Sequence, residues 1–364
     1  MTRSFEPAVY SARISRVAAE AQNAGLAGVI VGAGAELAYL TGSWVTSHER
    51  LTALSVTADG EARLVVPATD IGGLSLPGVE ILGWRDGEDP YRLATAPFSA
   101  DPARPVGLGT ALTADHVLRL QPLLPRTVLA TQALSAVFAV KEEVELRQIE
   151  TAAEAIDRVH EQVPELLRPG RTEAEVAADL EELILAGHDT VDFIIVGSGR
   201  NGANPHHSHS GRVLGEGDPV VVDIGGSLGA GYHSDCTRTY RVGGAAAPEF
   251  EEAYAVLERA QQEAVAAAKP GITAGELDAV ARDIIDRAGY GGYFTHRTGH
   301  GLGLSLHEEP FIVAGSDTRL REGMVFSVEP GIYVPGRWGM RIEDIVTLTA
   351  DGARSLNSCP RHLR

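Results

Sequence analysis

Five side chains, Asp223, Asp235, His300, Glu329 and Glu343, stand where a folded chain could gather them. Asp223 closes the apolar run Val220-Val221-Val222, and Glu329 closes Val325-Phe326-Ser327-Val328. Both patterns predict a buried strand that ends in a carboxylate. A Gly-rich turn through Gly231 leads to residues 232–240, whose alternation puts Asp235, Thr237 and Thr239 on one face. A hairpin then brings Asp223 and Asp235 onto neighbouring strands. Likewise Glu329-Pro330-Gly331 ends one strand and Arg341 starts another over 341–346, with Arg341 and Glu343 on one face and Asp344 on the other. Between the two pairs lies Gly299-His300-Gly301-Leu302-Gly303, whose small residues let backbone and ligand approach the imidazole. Carboxylates this close repel each other unless a cation lies between them. Two Asp, two Glu and one His form an oxygen-rich set with a single nitrogen. That set suits a pair of divalent cations, with Mn²⁺, Co²⁺ or Zn²⁺ favoured over a lone structural zinc. Dinuclear hydrolytic sites hold their ions roughly 3.5–4 Å apart, bridged by carboxylates. One such acid alone reads as a solvated strand-end carboxylate; five in matched order do not.

Elements must carry these groups to one place. Arg168-Pro169-Gly170-Arg171-Thr172-Glu173-Ala174-Glu175-Val176 is echoed by Lys269-Pro270-Gly271-Ile272-Thr273-Ala274-Gly275-Glu276-Leu277. Each copy carries a T-x-x-E capping box that starts a helix, and each helix ends at a glycine, Gly187 or Gly289. A P-G-x-T start can recur by chance, but the acids beyond each copy come in the same order. The pattern therefore predicts an internal repeat. Upstream, Lys141-Glu142-Glu143-Val144-Glu145-Leu146 opens a long helix with Val144, Ile149, Ile156, Val159, Val163 and Leu166 as its apolar stripe. Before it the chain alternates: a helix over 11–24, a buried strand over 26–31, two strands around an Asp59-Gly60 turn, and strands near 79–84 and 128–130. The expected organisation is an α/β domain over 1–135, a linker over 136–141 and a second domain over 142–364.

Composition bounds the function classes. The 364 residues are 44% hydrophobic and 22% charged, the profile of a folded chain with a sizeable core. The formal charge of −18 disfavours a nucleic-acid partner and an acidic membrane surface. Cys236 and Cys359 are the two cysteines, which indicates a reducing compartment. No apolar run approaches the ~18–20 residues that span a bilayer, and residues 1–7 lack the apolar core of a signal peptide. The expectation is a cytoplasmic protein that engages neither nucleic acid nor membrane.

The ordered motifs resemble a known family. Asp223-Ile224-Gly225, Ser234-Asp235-Cys236-Thr237-Arg238-Thr239, His296-Arg297-Thr298-Gly299-His300-Gly301-Leu302-Gly303, His307-Glu308, Glu329-Pro330-Gly331 and Arg341-Ile342-Glu343-Asp344 are similar to those of the pita-bread-fold metallopeptidases. The N-terminal part fits the creatinase-like domain of the Xaa-Pro branch, aminopeptidase P and prolidase. The resemblance implies an α/β creatinase-like domain followed by an α+β pita-bread domain with a pseudo-twofold repeat. It implies that Asp223, Asp235, His300, Glu329 and Glu343 are the metal ligands, with Asp235 and Glu343 bridging. It makes His206 the substrate-side histidine, from its spacing before Asp223, His307 a second one, and Arg341 the arginine beside the site. It implies hydrolysis of the Xaa-Pro bond at the N-terminus of proline-containing di- or oligopeptides, and a homodimer.

Within that chemistry Glu329 is the candidate proton carrier, and His206 would polarise the scissile carbonyl. Arg341, His307, His48 and Arg50 remain candidates for a substrate carboxylate or a subunit contact. His207 and His209 read as solvated loop residues, His233 as a neighbour of the metal face, His296 as a packing or capping residue, and Cys236 as a buried thiol. A same-fold amidinohydrolase or lyase and a non-catalytic binding module remain alternatives, because fold does not fix function.

Overall fold

In the computed structural model, which describes residues 4–46, 48–100 and 103–364, the chain divides into two compact units, Met1–Phe138 and Ala139–Arg364. Helix α5 (Thr131–Phe138), the last of the first unit, enters the stretch expected as a linker.

The first unit is built on β1 (Gly28–Gly32), β2 (Ala53–Thr57), β3 (Ala62–Pro67), β4 (Glu80–Trp84), β5 (Val106–Leu108) and β6 (Thr127–Leu129). They form one sheet in the order β4-β3-β2-β1-β5-β6. The expected hairpin is β2–β3, antiparallel from Ala53↔Val65 to Val56↔Ala62. Helices α1 (Pro7–Asn23), α2 (Ala35–Thr41), α3 (Pro90–Thr95), α4 (Ala114–Leu120) and α5 (Thr131–Phe138) accompany the sheet. Val17 and Ala21 of α1 are fully buried, as the helical spacing predicts. Ile30, Leu51, Val65, Trp84, Phe98 and Leu120 form the core.

The second unit consists of two halves with matching parts. The first half has α6 (Glu143–Leu166), α7 (Glu173–Leu185), β7 (Thr190–Ser198), β8 (Pro219–Leu228), β9 (Tyr232–His233) and β10 (Cys236–Arg241). The second has α8 (Pro248–Ala267), α9 (Ala274–Arg287), β11 (Gly299–Gly301), β12 (Glu308–Ile312), β13 (Val325–Val328), β14 (Gly331–Val334), β15 (Trp338–Arg341), β16 (Asp344–Thr349) and β17 (Gly352–Ser355). Both predicted capping boxes are formed, Thr172 with Glu175 and Thr273 with Glu276. The likeness extends to the backbone: the Gly170 amide donates to the Leu214 carbonyl, and the Gly271 amide to that of Leu320. Each capping threonine also makes an antiparallel bridge, Thr172 to Val213 and Thr273 to Arg319.

Each helix pair covers its own sheet. Ile156, Val159, Val163, Val176, Leu180 and Ile184 pack on Val220, Val222, Ile224 and Tyr240 of β8 and β10. Phe250, Leu257, Leu277, Ala281 and Ile285 pack with Phe326, Val328, Ile332 and Val346. No helix among the described residues is long and apolar enough to cross a membrane.

Candidate active site

Sheet strands deliver the acids. Asp223, expected to end its strand, lies in the middle of β8 opposite Thr237 of β10, because Ile224, Gly225 and Gly226 stay paired with β7 and carry the strand on to Leu228; Asp235 lies between β9 and β10. Val328 of β13 pairs with Asp344 of β16, so Glu329 and Glu343 flank adjacent strand ends. The strand expected over 341–346 is interrupted here: Arg341 ends β15, and Ile342-Glu343 form the break before β16. The break turns Glu343 towards β10, where its amide donates to the Thr237 carbonyl at 3.0 Å and its carboxylate accepts the Thr237 hydroxyl at 2.7 Å.

His300 arrives on the short strand β11, between β12 and β13. Its flanking glycines are dictated by close packing. A Cβ on Gly299 would lie 1.9 Å from the Ser327 carbonyl oxygen, and one on Gly301 would lie 2.3 Å from that of Glu309. The His300 amide donates to Ser327 Oγ, which donates to Glu329 Oε1 at 3.1 Å. His300 Nε2 lies 3.3 Å from Glu329 Oε1 and 3.6 Å from Asp235 Oδ2.

The five residues expected from sequence thus come together. Ligand atoms of Asp223, Asp235 and Glu343 lie within 4.8 Å of one another, as do those of His300, Glu329 and Glu343. A third such group joins Asp235, His300 and His307. Among the described residues Asp223 Oδ1 is buried with no hydrogen-bond partner, an acceptor that a cation would satisfy. Burial pushes the Asp235 carboxyl well above its usual range, and repulsion from Glu343, Asp223 and Glu329 adds to it. Burial raises Glu343 in the same way, with Glu329 and Asp223 adding to the effect. Burial lifts Glu329 to about 7, against the pull of Arg341. His300 is driven down to about 3 by burial, with His307 adding to it, so its imidazole is neutral. Buried acids that repel one another, beside a neutral imidazole and an orphaned carboxylate oxygen, fit divalent cations.

Arg341 is fully engaged. It donates to Asp223 Oδ2, to the Tyr333 hydroxyl at 2.6 Å, to Thr237 Oγ1 at 3.1 Å and to the Pro205 carbonyl at 3.4 Å. A guanidinium so committed orients Asp223 and has no fork left for a substrate carboxylate. His48 and Arg50 belong to the first unit, where Arg50 contacts Thr69 and Asp86.

These groups open into a cavity of about 1010 Å³. His206, His209, His296, His307 and Arg297 line it, and Val191, Phe193, Ile194, Ile195 and Leu306 give it an apolar wall. His206 is exposed, and the His307 ring lies 4.2 Å from that of His300. His296 does more than pack: it faces the cavity and meets the Tyr333 hydroxyl at 2.9 Å. His207 corrects its expectation as a solvated residue, because Glu173 holds its Nε2 at 2.8 Å. His233 is held by Asp192 at 2.6 Å and the Leu304 carbonyl at 3.2 Å. Cys236 is buried 3.7 Å from Cys359. Sequence reasoning assigned no role to Tyr333 or Arg297. Arg297 stood inside the quoted histidine-glycine motif, which was its only signal; its guanidinium lies 4.6 Å over the Phe311 ring and makes no ion pair among the described residues.

Comparison with known proteins agrees with this geometry. Residues 147–350 match Metallopeptidase family M24, and residues 13–140 match the Creatinase/Prolidase N-terminal domain. The chain is 50% identical to the probable dipeptidase PepE of Mycobacterium bovis, over 100% of this chain and 98% of the relative. It is 36% identical to the Xaa-Pro dipeptidase of Lactobacillus helveticus, over 90% of this chain and 92% of that one. The crystal structure of dipeptidase PepE from Mycobacterium ulcerans superposes with a TM-score of 0.94 at 48% identity, covering 99% of this chain and 98% of that one. The architecture is a creatinase-type α/β domain followed by an α+β pita-bread domain with a pseudo-twofold repeat.

Proposed function

This chain belongs to metallopeptidase family M24, and on that premise we propose that it is an Xaa-Pro dipeptidase working with two divalent ions. The observation that carries the reading is the convergence of four buried or half-buried carboxylates and one neutral imidazole on a cavity that also presents Arg297. The names carried by relatives of this length and identity support the substrate class.

Asp223, Asp235, His300, Glu329 and Glu343 would hold the ions, with Asp235 and Glu343 shared between them; Mn²⁺ is our first choice, Co²⁺ or Zn²⁺ the alternatives. When bound, such ions supply Lewis acidity and a nucleophile available near pH ~7. The remaining work falls to the chain. Glu329 carries a proton to the leaving nitrogen. That transfer is required because an Xaa-Pro nitrogen is a tertiary amide without N–H and cannot depart unprotonated. His206 polarises the scissile carbonyl. His307, whose pKa burial and then Arg297 lower, stays neutral and donates one N–H to the substrate. Arg341 fixes Asp223 and, through Tyr333, His296. Arg297 receives the dipeptide's C-terminal carboxylate as a fork-shaped cation, and the apolar wall takes the Xaa side chain. We further propose a cytoplasmic homodimer with the domain boundary at 138/139.

The test offers Mn²⁺-loaded protein Ala-Pro, Ala-Pro-Ala and Ala-Ala-Ala, with a chelator control. Cleavage of Ala-Pro, lost with chelator, is expected. Cleavage mainly of Ala-Pro-Ala would make it an aminopeptidase P. No cleavage by protein that holds two ions would remove the peptidase reading and promote an amidinohydrolase, a lyase or a binding module.

A further inference from the structure

We propose that Glu173 is the positioning residue of the substrate-side segment 199–210 and, through it, of His206. The proposal rests on the Xaa-Pro dipeptidase reading only for the catalytic consequence. Glu173 is fully buried at the first turn of α7. Burying a carboxylate is costly unless it is hydrogen-bonded throughout. This one accepts from the Ser198 amide at 2.8 Å, the Ser198 hydroxyl at 2.6 Å, Asn201 Nδ2 at 3.0 Å and the Ser210 hydroxyl at 2.6 Å. His207 Nε2 completes the set at 2.8 Å. Burial alone would raise its pKa; the hydrogen bonds from Ser198, Ser210 and His207 outweigh it and leave the group below the usual carboxylate range.

The helix does not need this carboxylate. Thr172 and Glu175 already cap α7, and the matching position of the other half, Ala274 of α9, is a buried alanine beside an equally complete capping box. Beyond the helices the two halves diverge. His300 is carried by a strand hydrogen-bonded on both sides, whereas His206 lies outside every strand. Every Glu173 partner lies at or within two residues of an end of 199–210, or next to His206 itself. Other contacts share the mounting: the Ser208 carbonyl accepts from the Val196 amide at 2.6 Å and the Ser210 carbonyl from the Ala174 amide at 3.0 Å. Gly202 packs backbone to backbone on β15, where a Cβ on Gly339 would lie 1.8 Å from the Gly202 carbonyl oxygen. The Pro205 carbonyl accepts from Arg341 at 3.4 Å. Asn201, Gly202, Pro205 and His207 are therefore each pinned, and Asn204 Oδ1 accepts the His206 amide at 3.2 Å, which leaves the His206 side chain to line the cavity.

The test compares metal-loaded wild type, Glu173→Gln and the milder His207→Ala by hydrogen exchange and by kinetics on Ala-Pro. Amide exchange within 199–210 is expected to rise about tenfold or more in Glu173→Gln, and less in His207→Ala, with α7 unchanged and two ions still bound. The kcat is expected to fall about a hundredfold with little change in KM, the scale of a small misplacement of a reacting group. His206→Ala combined with Glu173→Gln should be no slower than His206→Ala alone. Unchanged exchange in 199–210, multiplicative losses in the double variant, or loss of metal would each overturn the proposal. Wild type that holds two ions and cleaves no Xaa-Pro peptide defeats the functional reading instead, and the exchange measurement still decides the anchoring.

Discussion

Removing one acid from the carboxylate cluster should stabilise the metal-free protein at alkaline pH. Burial lifts Glu329 from 4.5 to about 7. Between those values the folded state binds a proton that the unfolded state has lost, so stability falls as pH rises through that window. Above pH ~7.5 the penalty is complete, at about 3 kcal/mol for a shift of this size. Buried histidines act in the opposite sense at lower pH. His300, His296 and His160 are each pushed down to about 3, chiefly by burial. Their contribution grows as pH rises to about 6.5 and is constant above it. At pH 8 only the carboxylates distinguish the variants. Glu329→Gln keeps the shape and the hydrogen bond from Ser327 and removes the charge. Chelator-treated Glu329→Gln should therefore be about 3 kcal/mol more stable than wild type at pH 8, roughly 6–12 °C in Tm for a unit of this size. At pH 5 the advantage should shrink below about 1 kcal/mol. With Mn²⁺ present the order should reverse, because wild type gains the fuller ligand set. Calorimetry of both proteins, with and without metal, reads all four values. A metal-free Glu329→Gln protein no more stable than wild type at pH 8 would refute the claim that Glu329 is a strained carboxylate awaiting a cation.

Asp235→Asn and Glu343→Gln should each lose at least one bound ion, measured by elemental analysis, and drop in activity by about a hundredfold or more. Arg341→Met leaves Asp223 without its cation, and calorimetry of the metal-free protein should show a loss of about 3–5 kcal/mol. Arg297→Ala should raise KM for Ala-Pro by about ten- to hundredfold while barely affecting Ala-Pro-amide, which has no carboxylate to capture. Cys236 and Cys359 are both buried, and burial and then the neighbouring Cys359 raise the Cys236 thiol well above its usual value. Neither should react with a thiol reagent until the protein unfolds.

Much of the architecture is readable along the chain because it depends on local rules. The Thr172 and Thr273 capping boxes are three-residue signals, and both start helices as expected. The β2–β3 hairpin arises from alternating apolar runs around Asp59-Gly60. The long amphipathic helix announces itself by its stripe, although it begins at Glu143 after a cap formed by Glu142 with Glu145. The three-residue strands β5 and β11 carry too few positions for a period to show, although the equally short β6 fell close to its expected place, and β11 holds His300. The break at Ile342-Glu343 was equally hidden, because the apolar pattern continues across it while the backbone turns towards Thr237.

The sequence by itself determined that Glu329 directly follows a strand, the order of the acids in two similar halves, and hence that carboxylates would be concentrated rather than scattered; that β8 continues past Asp223 was decided by its pairing with β7. Only the tertiary structure decided how each charge is satisfied. Arg341 is committed to Asp223, Tyr333 and Thr237, His207 is captured by a buried Glu173, and Arg297 is left facing the cavity. Periodicity tells which face a residue occupies, but hydrogen bonds and charge pairs act through space between segments far apart in the chain. A polar residue in a loop looks the same whether its partner is water or a carboxylate that folding brings beneath it.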